Sequence, residues 1–134
     1  MIVIGLAGGT APSREAIAQR LHEAGGQQLV VWGLKGDRLN DGRARAVARA
    51  LDGMQEPACQ LADGIVLTHV LTEEEADVIR AKGGQLWHVF GPVSSAVVIR
   101  RDDLLVTTKE GGDRHWLDPI EALSEALLSQ ARGC

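Results

Sequence analysis

The chain has few cysteines, no long apolar run and no surplus of positive charge, and each shortage closes off a class of function. Cys59 and Cys134 are far apart and show neither metal-site nor disulfide-framework spacing, which reads as a protein of the reducing cytoplasm. Cys134 is the last residue, and a disulfide-linked homodimer through it stays open as an alternative. No apolar stretch reaches about 18 residues, so no segment is expected to span a membrane. The opening residues run from a short strand straight into a Gly-rich turn, which is not the layout of a secretory signal. A formal net charge of −4 disfavours a general nucleic-acid binder. No His, Cys, Asp and Glu cluster has metal-ligand spacing, and no Cys–His pair or Ser–His–Asp order has the spacing of a catalytic group. Neither a metal ligand nor a catalytic residue is therefore assigned.

What is present is an ordinary globular composition, 45% apolar and 24% charged over 134 residues. That length suits one domain, residues 1–134, which buries roughly two-thirds of its unfolded surface and needs no covalent staple. Short apolar runs alternate with helical patterns, the sign of a mostly parallel sheet with helices packed on it. The strands expected are Ile2–Ile4, QLVVW ending at Trp32, GIVLTHV, QLWHVF and DLLVTT after Asp102. Between them, a helix from about Ser13 to Ala24 stops at Gly25-Gly26. A second carries Ala44, Val47, Ala48 and Leu51 on one face and ends at Gly53 and Pro57. Thr72 and Glu75 form a capping box for a third helix, which Gly83-Gly84 stops. Asp118 as N-cap, Pro119 and Glu121 open a fourth, with Ile120, Leu123 and Leu127 on its buried face. The fold class expected is α/β: a single three-layer domain with a mostly parallel five-stranded sheet and helices on both faces.

The N-terminal strand, turn and helix have the layout of a phosphate-binding loop without its chemistry. The Walker A loop requires G-x-x-x-x-G-K-[ST] at such a junction. Gly8 starts that spacing, but Ser13 stands where the second Gly belongs and Arg14 where the Lys belongs. Glu15 and Ala16 occupy the place of the magnesium-binding hydroxyl. Gly5, Gly8 and Gly9 are candidates for a nest of backbone N–H groups, weakened by Pro12, which has none to offer. Arg14 suits bidentate phosphate contact, or is an exposed first-turn cation. His69 closes the third strand, at the end of the sheet where ligands of open α/β folds bind. The ligand-binding residues expected are therefore Gly8, Gly9, Thr10, Ser13, Arg14 and His69.

The second half, DGIVLTHVLTEEEADVIRAKGGQLWHVFGP followed by IRRDDLLVTT and a final helix, resembles the C-terminal half of the bacteriophage-type deoxynucleoside monophosphate kinases, a P-loop kinase family. With the first 25 residues, the resemblance covers most of residues 62–131. It implies a P-loop kinase-like fold and transfer of the γ-phosphate of ATP, with magnesium, to a deoxynucleoside monophosphate. In that family the third strand ends in an Asp-Val-Arg-type motif, the fourth in His-Val-x-Arg-Pro and the fifth in Thr-Asn-Asp. Here His69 and Leu71 take the positions of that Asp and Arg, Gly91 that of the Arg before Pro92, and Thr108 and Lys109 those of the Asn-Asp pair. Arg14 replaces the loop Lys and Ala16 the magnesium-binding Thr. Residues 27–60 leave no room for the monophosphate-binding and lid insertions.

Phosphoryl transfer rests on positioning and on charge stabilisation by Lys, Arg and magnesium. The substitutions therefore imply a degenerate, kinase-like protein of phage or prophage origin, with transfer lost or impaired and residual nucleotide or phosphate binding. ATP and magnesium are cofactors only where transfer survives. The alternatives are an accessory protein that binds a host protein, a still-active small nucleotide kinase, and a dinucleotide-binding module. The last is disfavoured because the glycines do not follow G-x-G-x-x-G and no acidic residue ends QLVVW. A homodimer stays open, and the location implied is the cytoplasm, that of the host if the chain is phage-encoded.

The remaining polar residues have blander readings. Lys35, Arg38, Arg43, Arg45 and Arg49, diluted by Asp37 and Asp41, read as a solvated helix face, with phosphate or an acidic partner as the alternative. Glu73 and Glu74 read as helix-dipole residues beside the Glu75 box. His22 reads as solvated and His88 as core or edge packing. Trp32 and Trp87 read as core or interface residues. Gly112, Asp113, Arg114, His115 and Trp116 form a polar, aromatic loop suited to a contact surface.

Overall fold

The computed structural model describes residues 2–24, 29–33, 40–55, 63–91, 97–100, 103–109, 112 and 116–132. Cys59, Cys134, Lys35, Asp37, Arg38, Gly25-Gly26, Pro57, Pro92, Asp102, Asp113, Arg114, His115 and the side chain of Asp41 lie outside what it describes. The described residues form five strands and four helices, alternating as far as β4, which is followed by β5: β1 (Ile2–Gly8), α1 (Ala11–Glu23), β2 (Leu29–Trp32), α2 (Asn40–Gln55), β3 (Gly64–Leu67), α3 (Glu73–Ala81), β4 (Gln85–Val89), β5 (Leu104–Val106) and α4 (Pro119–Arg132). The strands form one sheet in the order β2-β3-β1-β4-β5. All four pairings are parallel, where the sequence pattern suggested only a mostly parallel sheet.

β1 is central and buried along its whole length, which is why it reads as an unbroken apolar run. Successive strand residues alternate between the two faces of the sheet. Ile2, Ile4 and Leu6 join a core cluster with Ile17, Ala18 and Leu21 of α1 and Ala122, Leu123 and Ala126 of α4. Val3 and Ala7 join a second cluster with Val47 and Leu51 of α2 and Ala76 and Ile79 of α3. Trp87 is fully buried in the first cluster, while Trp32 packs partly against the second.

The helix ends follow local chemistry. Thr10 caps α1 by accepting the Ser13 N–H on its hydroxyl, so the helix begins at Ala11, two residues before the expected start. α2 runs through Gly53 to Gln55 rather than ending at the glycine. Thr72 caps α3 through the Glu75 N–H. The Glu75 carboxylate completes the local pair by accepting from the Thr72 hydroxyl, not from a backbone N–H as in the usual capping box. α3 closes in a Schellman turn: the Gly84 N–H bonds the Ile79 carbonyl, the Gly83 N–H bonds that of Arg80, and Gly83 has φ 81°. Asp118 caps α4, its carboxylate accepting the Ile120 N–H at 2.7 Å ahead of Pro119.

The topology sets where a ligand would sit. β1 and β3 are neighbours, but the helices that follow them, α1 and α3, pack in different clusters on opposite faces. The chain therefore diverges at the carboxyl ends of these two strands, the switch point at which open α/β sheets are expected to have a ligand crevice.

Candidate functional site

The crevice holds Gly8 and Gly9 after β1, Thr68 and His69 after β3, and Arg14 from the first turn of α1. Arg14 is 8% exposed and reaches across the gap. Its Nη1 donates to the Gly8 carbonyl at 2.7 Å and its Nε to the Thr68 carbonyl at 3.0 Å. Its Nη2 lies 3.3 Å from His69 Nδ1. A guanidinium only donates, so Nδ1 is assigned as acceptor and the neutral ring carries its proton on Nε2. That nitrogen is 3.5 Å from Glu15 Oε1. The Arg14 side chain is not an exposed first-turn cation, and its donors turn inward to backbone carbonyls.

The crevice is a site for a guanidinium more than a nest for a phosphate. Gly8 and Gly9 have φ values of 72° and 61°, and the Gly8 carbonyl faces Arg14. A carbonyl attracts a cation where a phosphate loop would present N–H groups. Pro12 has no N–H, Ser13 gives its own to Thr10 Oγ1, and Arg14 gives its own to the Thr10 carbonyl. Of those first helical residues, Ala11 alone keeps a donor. The Thr10 and Ser13 hydroxyls bond each other at 2.8 Å. Gly91, with φ 133°, closes in from the β4 side: a Cβ on it would lie 3.0 Å from the Gly9 Cα. The candidate residues Gly8, Gly9, Thr10, Ser13, Arg14 and His69 are thus brought together, with most of their polar groups committed to one another.

Arg14 nevertheless carries a charge that no ion pair holds among the described residues. Three of its five N–H donors are engaged, all by neutral acceptors, and no carboxylate touches it among the described residues. It stands in the first turn of α1, the positive end of the helix dipole, where a cation is disfavoured. Burial pushes the Arg14 guanidinium below its ordinary value, partly offset by the nearby charge of Glu15.

A second buried arginine supports the site from below, and the sequence reading missed it. Arg43 of α2 donates from Nε to Glu75 Oε1 at 2.6 Å and from Nη2 to the His69 carbonyl at 3.0 Å. The side chains of Arg43 and Glu75 are 3% and 1% exposed. Arg43 therefore leaves the solvated face to which its sequence neighbours assigned it, while Arg45 and Arg49 are exposed. The signal was available: Arg43 stands four and eight residues before Val47 and Leu51, on the apolar stripe, and Glu75 stands four before Ile79. Two opposite charges heading the apolar stripes of two packed helices require each other.

His88 lies apart from the crevice, buried on the face of β4 that α3 covers, with Nε2 2.7 Å from Asp103 Oδ2. The same oxygen accepts from Arg80 Nη2 at 2.8 Å and from the Arg100 N–H at 2.9 Å. Glu73 extends the network to Arg80, Arg100 and the Val98 N–H. These bonds fasten the chain after β4 to α3, which is a structural role. Burial opposes ionisation of Glu73, but the Val98 N–H and the guanidiniums of Arg100 and Arg80 outweigh it and hold the carboxyl below its ordinary value. A carboxyl with a depressed folded-state pKa contributes stability above its unfolded value, near pH ~4.3, and loses it as pH falls through the folded value. The stability gap between the wild type and Glu73→Gln should therefore be full at neutral pH and shrink below about pH 4. Urea midpoints measured across that range check it, and a gap independent of pH would contradict it.

His22, read as solvated, holds the Leu29 carbonyl through Nδ1 at 2.9 Å. Trp116 is partly buried and meets Phe90 edge-on, with ring centroids 5.2 Å apart. A cavity of about 160 Å³ lies between α1 and the start of α4, lined by Ala16, Ile17, Arg20, Thr108 and Pro119, away from the Arg14 crevice. Among the described residues, no group of three or more His, Cys, Asp and Glu side chains converges to hold a metal ion, and no helix is long and apolar enough to cross a membrane. No protein-family model, curated protein or solved structure matches the chain.

Proposed function

We propose that this protein binds a phosphate-bearing ligand through Arg14 and does not transfer its phosphoryl group. The observation that carries the reading is the state of Arg14: a buried cation at the positive end of a helix, with two N–H donors unspent and no carboxylate against it among the described residues. An oxyanion that accepts those donors offsets both the buried charge and the helix dipole. Transfer demands more. A magnesium-held triphosphate needs a hydroxyl ligand at the helix start, a cradle of N–H groups and a mobile cation over the β- and γ-phosphates. Here Ala16 has no hydroxyl, the first-turn donors are largely spent, and Arg14 is tied to two carbonyls. The resemblance to deoxynucleoside monophosphate kinases, and the phage origin it implies, make a mononucleotide phosphate the first ligand to try.

The test of the catalytic half is a transfer assay with ATP, magnesium and each of the four deoxynucleoside monophosphates. No diphosphate product above the protein-free background is expected. Turnover that Arg14→Ala abolishes would replace this reading with that of a small active kinase.

A second reading is favoured by the apolar residues near the same end of the sheet. Leu71 and Phe90 are exposed there, and Val98 and Ile99 are exposed on the segment that Glu73 and Arg80 fasten to α3. They suit a non-enzymatic protein that uses the fold as a platform for a host protein. Replacing Phe90 and Val98 by Ser should then abolish capture of that partner and leave phosphate binding unchanged.

A further inference from the structure

We infer that the outer edge of β2 pairs antiparallel with β2 of a second copy of this chain, about a two-fold axis through Val31. The ladder to β3 fixes which backbone groups are available. The Thr68 N–H bonds the Trp32 carbonyl, and Trp32 is in register with Leu67. In a parallel pair bonding residues alternate, so Val30 and Trp32 bond inward to β3, while Leu29, Val31 and Gly33 turn theirs to the open edge. His22 accounts for one of these groups, donating to the Leu29 carbonyl. The N–H and carbonyl of Val31 have no partner among the described residues, and Val30 and Val31 are 40% and 41% exposed.

The two edges of the sheet are treated differently. At β5 the chain covers its own edge: Leu117 bridges Val106, its N–H bonding the Leu105 carbonyl at 2.8 Å and its carbonyl accepting the Thr107 N–H at 2.9 Å. At β2 the four residues Leu-Val-Val-Trp include no charge and no proline, the usual devices that keep an open edge from pairing.

The strand is complementary to itself. A two-fold axis at Val31 makes it an exchanged hydrogen-bonded pair with its own copy, and sets Leu29 opposite the partner's Gly33. The Leu29 carbonyl has a second lone pair for that bond while it keeps His22. Val30 then faces the partner's Trp32, apolar against apolar. A four-residue strand falls short of the roughly 1,000 Å² of a stable interface, so the pairing is concentration-dependent.

Sedimentation across a concentration series, with hydrogen exchange at its two ends, tests the pairing. The expected result is a monomer–dimer equilibrium in which the Val31 amide exchanges more slowly at high concentration. Val31→Lys sets like charges opposite each other across the axis and should leave a folded monomer, while Val31→Thr, which keeps the branched shape, should still dimerise. A wild type that is monomeric throughout would overturn the inference. So would a dimer whose protection falls elsewhere, for example at Phe90 and Val98, or one that folded Val31→Lys leaves intact. If Val31→Lys does not fold, exchange of the wild type decides.

Discussion

Arg43→Ala is expected to lose about 3–5 kcal/mol of folding stability, a large share of the roughly 5–15 kcal/mol that holds a domain of this size. The loss comes less from the missing attraction than from what stays behind. Glu75 remains sealed between α2 and α3 with the Thr72 hydroxyl and the Glu75 backbone geometry of the cap, but without its cation. The His69 carbonyl loses a donor at the same time. Urea denaturation measures the effect. The double variant Arg43→Met with Glu75→Leu removes both charges and should recover most of the loss, because apolar replacement of a whole buried pair is often neutral or better. A loss below about 1 kcal/mol in the single variant would place the pair in solvent, contrary to its burial.

Gly9→Ala is the second large effect. Gly9 has φ 61°, a region that costs a residue with a side chain about 1–2 kcal/mol. Its Cβ would also lie 2.8 Å from Val89 Cγ1 and 3.1 Å from the Phe90 carbonyl. Relieving that overlap costs about a further 1–3 kcal/mol, because the backbone of β4 and the turn after it cannot swing away as a side chain tip can. Relief also shifts Gly8, whose carbonyl anchors Arg14, so anion binding should weaken together with stability. Thermal unfolding with and without phosphate reads both. Gly53→Ala is the control: a Cβ there meets nothing within 4 Å, and in a helix the change should be neutral or stabilising.

The fold was legible because its signals are local. Ile2–Ile4, QLVVW and QLWHVF carry the strand pattern, and Thr72, Gly83 and Asp118 act as caps or stops within a turn of where they stand. The site was legible only as a place. The Gly-rich turn after β1 and His69 after β3 indicate which end of the sheet matters, and these residues do meet. The direction in which Arg14 points was not legible, because it depends on the Thr68 carbonyl, 54 residues away, being presented by the neighbouring strand. Arg43 was misassigned for a related reason. Counted with Arg45 and Arg49 it belongs to a basic face, whereas counted with Val47 and Leu51 it belongs to the core, and only the packing of α3 and Glu75 against α2 selects the second.

The most direct test of the account is isothermal titration of inorganic phosphate into the wild type and into Arg14→Ala, with circular dichroism showing that both are folded. Phosphate alone is the right probe, because the account assigns recognition to one guanidinium and not to a base or a metal. One phosphate bound per wild-type chain and none by Arg14→Ala is the predicted result. Equal binding by the two proteins, or no binding by the wild type, would contradict it and leave Arg14 as an internal strut between β1 and β3.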